Sequence, residues 1–572
     1  MPPVRRLRLL TRSVAVASLA CGSIGAATDH GPPISPSGLV VCVSATACDA
    51  GASVLARGGN AVDAAVATGF ALAVTHPAAG NIGGGGFMIV RTAAGDVAAF
   101  DYRERAPAAA TAGMYVTAHG TIARDLATFG YLAVGVPGTV RGLEAAHRRY
   151  GRLPWRDVVM PAVELAEQGF TISPALADSL NAAVARMGPF PASVAAYRKP
   201  GGGAWVAGDR LRLADLGRTL RAIAVEGPDV FYTGWIADRI AGDMADNGGL
   251  VTRADLAAYE ARVRVPVRVT YRGHEIISMP PPSSGGVALV QMLNILEPFD
   301  LRSKGLLTAP ALHLRIEAMR RAYLDRARHL GDPDFAQVPV ARLTSKAYAR
   351  EVAASIHDAR PSDSMDLGRD LLDAPSRGEP DATTHYSVLD RDGMAVATTT
   401  TLEGSYGSFV VVPGTGFLLN NEMGDFNMTP GHTDTTGEIG SPANVVAPGK
   451  RMLSSMTPTI VTRDRRIVLI TGSPGGRTII NTVLSVVLGI VEYGLTGREA
   501  VDLPRIHHQW LPDRVTVEQA LAREVVDDLR ALGHDVATRE RQGDAHSIWI
   551  DASGTPHGVP DTRTADAKAS AP

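Results

Sequence analysis

Threonines, paired carboxylates and a glycine pair are the groups in this chain whose types and spacing fit acyl chemistry. Asp381-Ala382-Thr383-Thr384-His385-Tyr386-Ser387-Val388 opens a β-prone run, which turns at Arg391-Asp392-Gly393 and returns over residues 394–401. Asp-Gly between two such runs is a hairpin signal. Thr383 reads as a β-branched strand opener. If the chain is cut between Ala382 and Thr383, it reads instead as a nucleophile whose own α-amine is the general base. An α-amine titrates near about 7.7–8.0, so a useful fraction is neutral at neutral pH and no distant histidine is needed. Glu422-Met423-Gly424-Asp425 sets two acids three residues apart, Ser454-Ser455 pairs two hydroxyls ahead of a strand, and Gly475-Gly476 offers backbone N–H groups at a helix start. Such N–H pairs stabilise a tetrahedral oxyanion. Taken singly, the same residues read as surface carboxylates, a serine turn and an ordinary helix N-terminus. There is no Gly-x-Ser-x-Gly nucleophile elbow, and His507-His508 lacks a metal-ligand partner pattern.

The elements that must hold these groups alternate between apolar helices and β-prone runs. Residues 50–56 have helical composition and stop at Gly58-Gly59. Asn60 caps a second helix over 61–74, apolar nearly all round and therefore buried. The run Gly83-Gly84-Gly85-Gly86 leads into a strand at 87–90, not into a helix, and no Lys-Ser/Thr follows. It reads as a packing corner without Cβ atoms and not as a phosphate cradle. Residues 139–258 read as mostly helical, with Thr252 and Asp255 forming a capping box. A hairpin at Tyr271-Arg272-Gly273-His274, a loop over 279–286 opening a helix, and a long helix over 309–330 follow. Residues 362–380 read as an exposed linker. Beyond Thr383 the chain is β-rich, with strands expected at 409–412, 416–419, 459–462 and 467–471, then an apolar helix to about Glu492 and a frayed tail over 561–572. With no internal repeat and no regular βα alternation, the class is α+β in layers.

Bulk properties exclude several functions. The 572 residues carry a net charge of −2, and lysine and arginine are dispersed, so no nucleic-acid surface is indicated. Arg5, Arg6, Arg8 and Arg12 precede a short apolar stretch and small residues up to Ala27, the pattern of a secretory leader over residues 1–27. Lipid anchoring at Cys21 is not favoured, because the leucine stands one place off a lipoprotein box. The mature chain then keeps only Cys42 and Cys48, which are no disulfide framework and no metal site. They read as small buried residues that an oxidising compartment could pair. No stretch is long enough to span a bilayer as a helix, so a soluble secreted, periplasmic or extracellular protein is expected.

Together the clusters are far more specific. Thr383-Thr384-His385-Tyr386-Ser387-Val388, Leu418-Leu419-Asn420-Asn421-Glu422-Met423, Ser454-Ser455-Met456-Thr457-Pro458-Thr459 and Gly472-Ser473-Pro474-Gly475-Gly476 resemble the γ-glutamyltranspeptidase (glutathione hydrolase) family, as do Gly59-Asn60-Ala61-Val62-Asp63-Ala64-Ala65 and Gly83-Gly84-Gly85-Gly86-Phe87. The likeness runs in order from about Val40 to Arg563. It implies an N-terminal-nucleophile hydrolase with a four-layer αββα sandwich, self-cleaved at Ala382-Thr383 into a large subunit (28–382) and a small catalytic subunit (383–572) that remain together as a heterodimer. Thr383 would be the nucleophile and Thr401 its hydrogen-bonding neighbour, with Gly475 and Gly476 as the oxyanion hole. Arg103, Ser454 and Ser455 would hold the α-carboxylate of a γ-glutamyl substrate, and Glu422 and Asp425 its α-ammonium. No metal or cofactor is required.

The residue types suit that head group independently, since an arginine fork takes a carboxylate and paired acids take an ammonium. An ester on Thr383 would pass the γ-glutamyl group of glutathione and related amides to water or to an amino acid or peptide amine. One position departs from the family. Where many members carry asparagine, two residues after Thr401, this chain has Glu403, which either adds a third acid around the ammonium or turns away. Same-fold alternatives are a cephalosporin or glutaryl acylase and a poly-γ-glutamate-processing enzyme. An inactive secreted binding protein is the alternative of another class. Residues 427–450 are long enough for the lid loop some members have.

Overall fold

The computed structural model describes residues 34–372 and 382–572; the expected leader, residues 1–27, lies outside them. Two antiparallel sheets carry the fold. The larger has seven strands in the order Lys568–Ser570, Gly38–Cys42, Ala382–Asp390, Ala395–Glu403, Gly85–Arg91, Val97–Tyr102 and Arg262–Arg264. The smaller has six: Pro556–Val559, Ser547–Ile550, Arg466–Thr471, Thr459–Arg463, His274–Ser278 and Val267–Tyr271.

Side-chain alternation along the strands builds the layers. Leu39, Val41, Phe87, Ile89 and Ala397 of the first sheet pack with Ile277, Ile460, Ile470 and Ile548 of the second, forming a sheet-to-sheet core. Their neighbours Val40, Cys42, Met88, Val90 and Val396 face the other way, onto helices that include Ala45–Ala56 and Ala61–Thr75. The outer face of the second sheet, with Ile276, Val461 and Leu469, is covered by Gly285–Leu296, Ala309–His329 and Thr478–Val491. This is the expected αββα sandwich. Strands buried on both faces read as continuous apolar runs, which is why Leu39 to Cys42 and Phe87 to Val90 are uniformly apolar and buried.

Local signals match their elements. Asn60 accepts from the backbone N–H of Val62 and Asp63, both at 3.0 Å, and Asp63 returns the bond to the Asn60 N–H at 2.9 Å, completing a capping box. The Asp392-Gly393 turn joins two nine-residue strands, and the run 139–258 is mostly helical. Cys42 and Cys48 are joined in a disulfide, Cα atoms 5.8 Å apart, at the start of the first helix.

Three expectations fail. The exposed linker expected over 362–380 is built into the fold where it is described, since Ser364 is buried and its carbonyl accepts from Trp510 Nε1 at 2.8 Å; its remainder, from 373, lies outside the described residues. The tail does not fray from Asp561: Lys568–Ser570 is an edge strand paired with Gly38–Cys42, Arg505 Nη2 donates to Asp561 Oδ2 at 2.5 Å, and Lys568 pairs with Asp49 at 2.6 Å. Long-range ion pairs and backbone ladder bonds hold a segment without apolar periodicity. Residues 409–412 and 416–419 are not strands either. They meet at a single bridge, Val411 to Leu418, because Tyr406, Gly407 and Phe409 take positive φ (64°, 55° and 64°) and carry the chain into a loop.

Candidate active site

Thr383 is the second residue of the central strand Ala382–Asp390 and stands directly opposite Thr401 in the ladder. Their hydroxyls are 3.4 Å apart, and Thr401 Oγ1 also accepts from the Glu403 N–H at 2.8 Å. Between Thr401 and Glu403 the register slips, so that Glu403 opposes Ala382 with φ 76°. A bulge of this kind re-aims a side chain, and here it turns Glu403 inward, where it is 6% exposed and accepts from Asn421 Nδ2.

The four-glycine run braces Thr401. Asn81 Nδ2 donates to the Thr401 carbonyl at 2.8 Å, and its Oδ1 accepts from the Gly84 N–H at 3.0 Å and from Thr139 Oγ1 at 2.6 Å. A Cβ on Gly84 would run into the Thr401 carbonyl. One on Gly85 would come within 2.5 Å of Glu104 Oε2, and one on Gly86 within 2.5 Å of the Thr399 carbonyl. The run is therefore the Cβ-free corner that the order of elements predicts. His385, two residues beyond Thr383, bonds Thr399 Oγ1 at 2.9 Å and Ser387 Oγ at 3.1 Å. Burial, with His546 nearby, holds its imidazole well below the usual range, so it acts as a neutral strut.

A small cavity is lined by Thr383, Thr401, Glu403, Arg103, Glu422, Asp425, Ser454, Ser455 and Gly476, together with Arg326, Arg477, Met456 and Ile479. The predicted residues thus converge, apart from Gly475, which lines a second cavity that Thr383 also touches. Gly475 and Gly476 precede helix Thr478–Val491 with φ 123° and 52°, a conformation that L side chains rarely adopt.

The charged groups are arranged differently from two separate poles. Arg103, 1% exposed, pairs with both Glu422 and Asp425 while also donating to the carbonyls of Met452 (3.3 Å) and Leu453 (3.2 Å); Glu104 lies 3.8 Å away. Burial works against the Arg103 charge, but Glu422, Asp425 and Glu104 outweigh it and raise its pKa. Burial raises the Glu104 carboxyl to about 7 despite Arg103, and raises Glu422 well above the ordinary range. Three acids about one guanidinium cannot all stay ionised away from water.

The sign follows from those raised carboxyls. The Glu104 proton stabilises the fold fully below the ordinary glutamate range, and that contribution is lost as pH rises through about 7. A cationic ligand works the other way, because it favours the ionised acids. KM for an ammonium-bearing donor should therefore fall from about pH 6 to about pH 8, and Glu104→Gln should flatten the profile. A KM that stays level across that window would contradict the account.

Arg326 and Arg477 escaped the sequence reading. Arg326 lies in the long helix Ala309–His329 among several arginines, so nothing local marks it. It donates to Ser455 Oγ at 3.1 Å and to Ser284 Oγ at 2.9 Å. The Ser284 N–H and hydroxyl in turn hold the Ser454 carbonyl at 2.7 and 2.6 Å, which explains the proline-serine loop. Residues 427–450 lie beside the site: Asn444 Nδ2 donates to the Asp425 carbonyl at 2.7 Å, and Arg477 Nη1 donates to the Gly437 carbonyl at 3.2 Å. Among the described residues, no cluster of His, Cys, Asp or Glu is arranged to hold a metal ion.

The family profile described as "Gamma-glutamyltranspeptidase" matches residues 47–571. The chain belongs to the γ-glutamyltranspeptidase family. It is 46% identical to the glutathione hydrolase proenzyme of Escherichia coli (strain K12), across 97% of this chain and 98% of that one. It is 39% identical to the Acylase ACY 1 proenzyme of Pseudomonas sp. (strain SE83), across 91% and 90%. Among solved structures, a cephalosporin acylase from Bacillus halodurans superposes with a TM-score of 0.83 at 27% identity, covering 97% of this chain and 99% of that chain. The family's fold is thus the one described above, and the protein is an enzyme.

Proposed function

We propose that the protein is a γ-glutamyltransferase and glutathione hydrolase that cuts itself between Ala382 and Thr383 and works through an ester on Thr383. The observation that carries this reading is the cavity in which Thr383 and Thr401 share walls with Arg103, Glu403, Glu422, Asp425, Ser454 and Ser455. An amino acid head, one cation and one anion, matches that lining; a bare acyl chain does not. Its carboxylate meets Arg103 and the two serine hydroxyls, and its ammonium meets Glu422, Asp425 and Glu403. Binding therefore opens the internal pairs of Arg103 and replaces them with pairs to the ligand.

With the head group fixed, the γ-carbonyl carbon lies against Thr383 Oγ. The neutral α-amine takes the hydroxyl proton as the C–O bond forms, and the N–H groups at Gly475 and Gly476 receive the oxyanion. Collapse expels the leaving amine, protonated by the same α-amine, and leaves the ester. Water or an amino acid or peptide amine then attacks that ester, so the kinetics are ping-pong. Release of the large and small subunits as a lasting heterodimer, and export behind the leader, complete the reading. The Cys42–Cys48 disulfide supports an oxidising compartment, and among the described residues no helix is long and apolar enough to cross a membrane.

The acylase relatives and the acylase fold give a second reading: a glutaryl or cephalosporin side chain as the acyl group. Turnover of γ-glutamyl anilide beside glutaryl anilide separates the two. The proposed function expects a kcat/KM at least about 100-fold higher for the γ-glutamyl compound, since an ammonium site left empty strands buried acids. Equal or reversed preference would refute it.

A further inference from the structure

The loop Pro280-Pro281-Pro282-Ser283-Ser284, which opens the helix Gly285–Leu296, has no role in the chemistry above, yet it grips the backbone of the serine pair. Ser283 and Ser454 form a parallel bridge, the Ser454 N–H donates to the Pro282 carbonyl at 3.0 Å, and Ser283 Oγ donates to the Met456 carbonyl at 2.5 Å. The Ser284 N–H and hydroxyl both donate to the Ser454 carbonyl, at 2.7 and 2.6 Å. One side chain ties this loop to the serine pair. Arg326 Nε donates to Ser284 Oγ at 2.9 Å, and Arg326 Nη2 donates to Ser455 Oγ at 3.1 Å. All three residues are buried.

These bonds fix a direction. A serine hydroxyl has one proton to give and two lone pairs that accept, whereas a guanidinium only donates. Ser455 Oγ accepts from Arg326, and Ser454 Oγ accepts from the Met456 N–H at 3.1 Å; among the described residues neither hydroxyl donates to another protein group. Each therefore keeps its proton for an acceptor that enters the cavity both serines line. A hydroxyl that accepts from a cation is also polarised, which makes it the stronger donor. The two Arg326 bonds leave one rigid, planar fork, a geometry that a lysine ammonium does not reproduce.

We propose, resting on the γ-glutamyl reading above, that Arg326 is a positioning residue for the donor. Through Ser455 directly, and through Ser284 and the Ser454 carbonyl, it sets both hydroxyls to donate to the α-carboxylate of the substrate. Arg326 thus governs how firmly the head group is held, so its loss shows in donor KM while kcat stays close to its value.

The test measures aniline release from γ-glutamyl anilide by the wild type, Arg326→Gln, Ser284→Ala, Ser455→Ala and the Arg326→Gln/Ser455→Ala double variant. Arg326→Gln should raise donor KM at least about tenfold, the scale of one charge-assisted hydrogen bond, with kcat within about threefold. In the Ser455→Ala background the same change should raise KM by less than about threefold, because the hydroxyl it acts on is gone. Ser284→Ala should raise KM at least about threefold although Ser284 is no part of the cavity wall, and it decides the matter if Arg326→Gln does not fold. A donor KM indifferent to either single change would overturn the positioning role, as would an Arg326→Gln effect that persists in full without the Ser455 hydroxyl. A wild type that releases no aniline would overturn the γ-glutamyl reading itself, so the two failures are distinguishable.

Discussion

Thr383→Ala is expected to yield a single uncut chain and to lower γ-glutamyl turnover by at least about 10⁴-fold, the scale seen when a covalent nucleophile is removed. In the proposed mechanism one hydroxyl does both jobs, the same oxygen attacking first the Ala382 carbonyl and later the donor. The surroundings should survive, because Thr383 contributes one half-buried hydroxyl while the strand is held by its ladder to Ala395–Glu403 and Gly38–Cys42. Gel electrophoresis under denaturing conditions and anilide release give the two readouts. Two normal subunits from this variant would remove Thr383 from the mechanism.

Arg103→Ala should have the second largest effect, and on two properties. Arg103 is the guanidinium at the centre of Glu104, Glu422 and Asp425, and two of its carbonyl partners, Met452 and Leu453, lead into the serine pair. Removing one partner of a buried ion pair costs about 3–5 kcal/mol, because the other charge stays behind. The variant should therefore denature earlier and bind donor at least about 100-fold more weakly, while still cutting itself, since Arg103 is no part of the Thr383–Thr401 pair. Arg103→Ala with Glu422→Gln should regain part of the stability and none of the affinity. Affinity restored by that second change, or donor KM unchanged in the single variant, would rule out a carboxylate-binding role. Chemical denaturation and donor kinetics measure both.

How much of this was legible depends on whether each signal is local. The Asp392-Gly393 hairpin, the Asn60 cap and the glycine run leading into a strand are short-range, and each sits where the sequence put it. The candidate residues were picked out through their motifs, and the cavity gathers them except Gly475, which lines a second one. What escaped depends on distance in the chain. Arg326 reaches Ser455 from a helix more than a hundred residues earlier. The order of residues 561–572 comes from partners such as Arg505 and Asp49. The pairing of Arg103 with the acids, against two separate poles, reflects the need of buried charges for each other when no ligand is present. Glu403 was ambiguous between facing and leaving the site, and only the bulge after Thr401 decides that it faces inward.

The central claim is that one peptide bond breaks so that a threonine gains a free amine beside its own hydroxyl. Intact-mass measurement with N-terminal sequencing of the purified wild-type protein tests it most directly. Two chains, the smaller one beginning at Thr383 and extending to Pro572, are predicted. A single uncut chain, or a small chain beginning at any other residue, would contradict it.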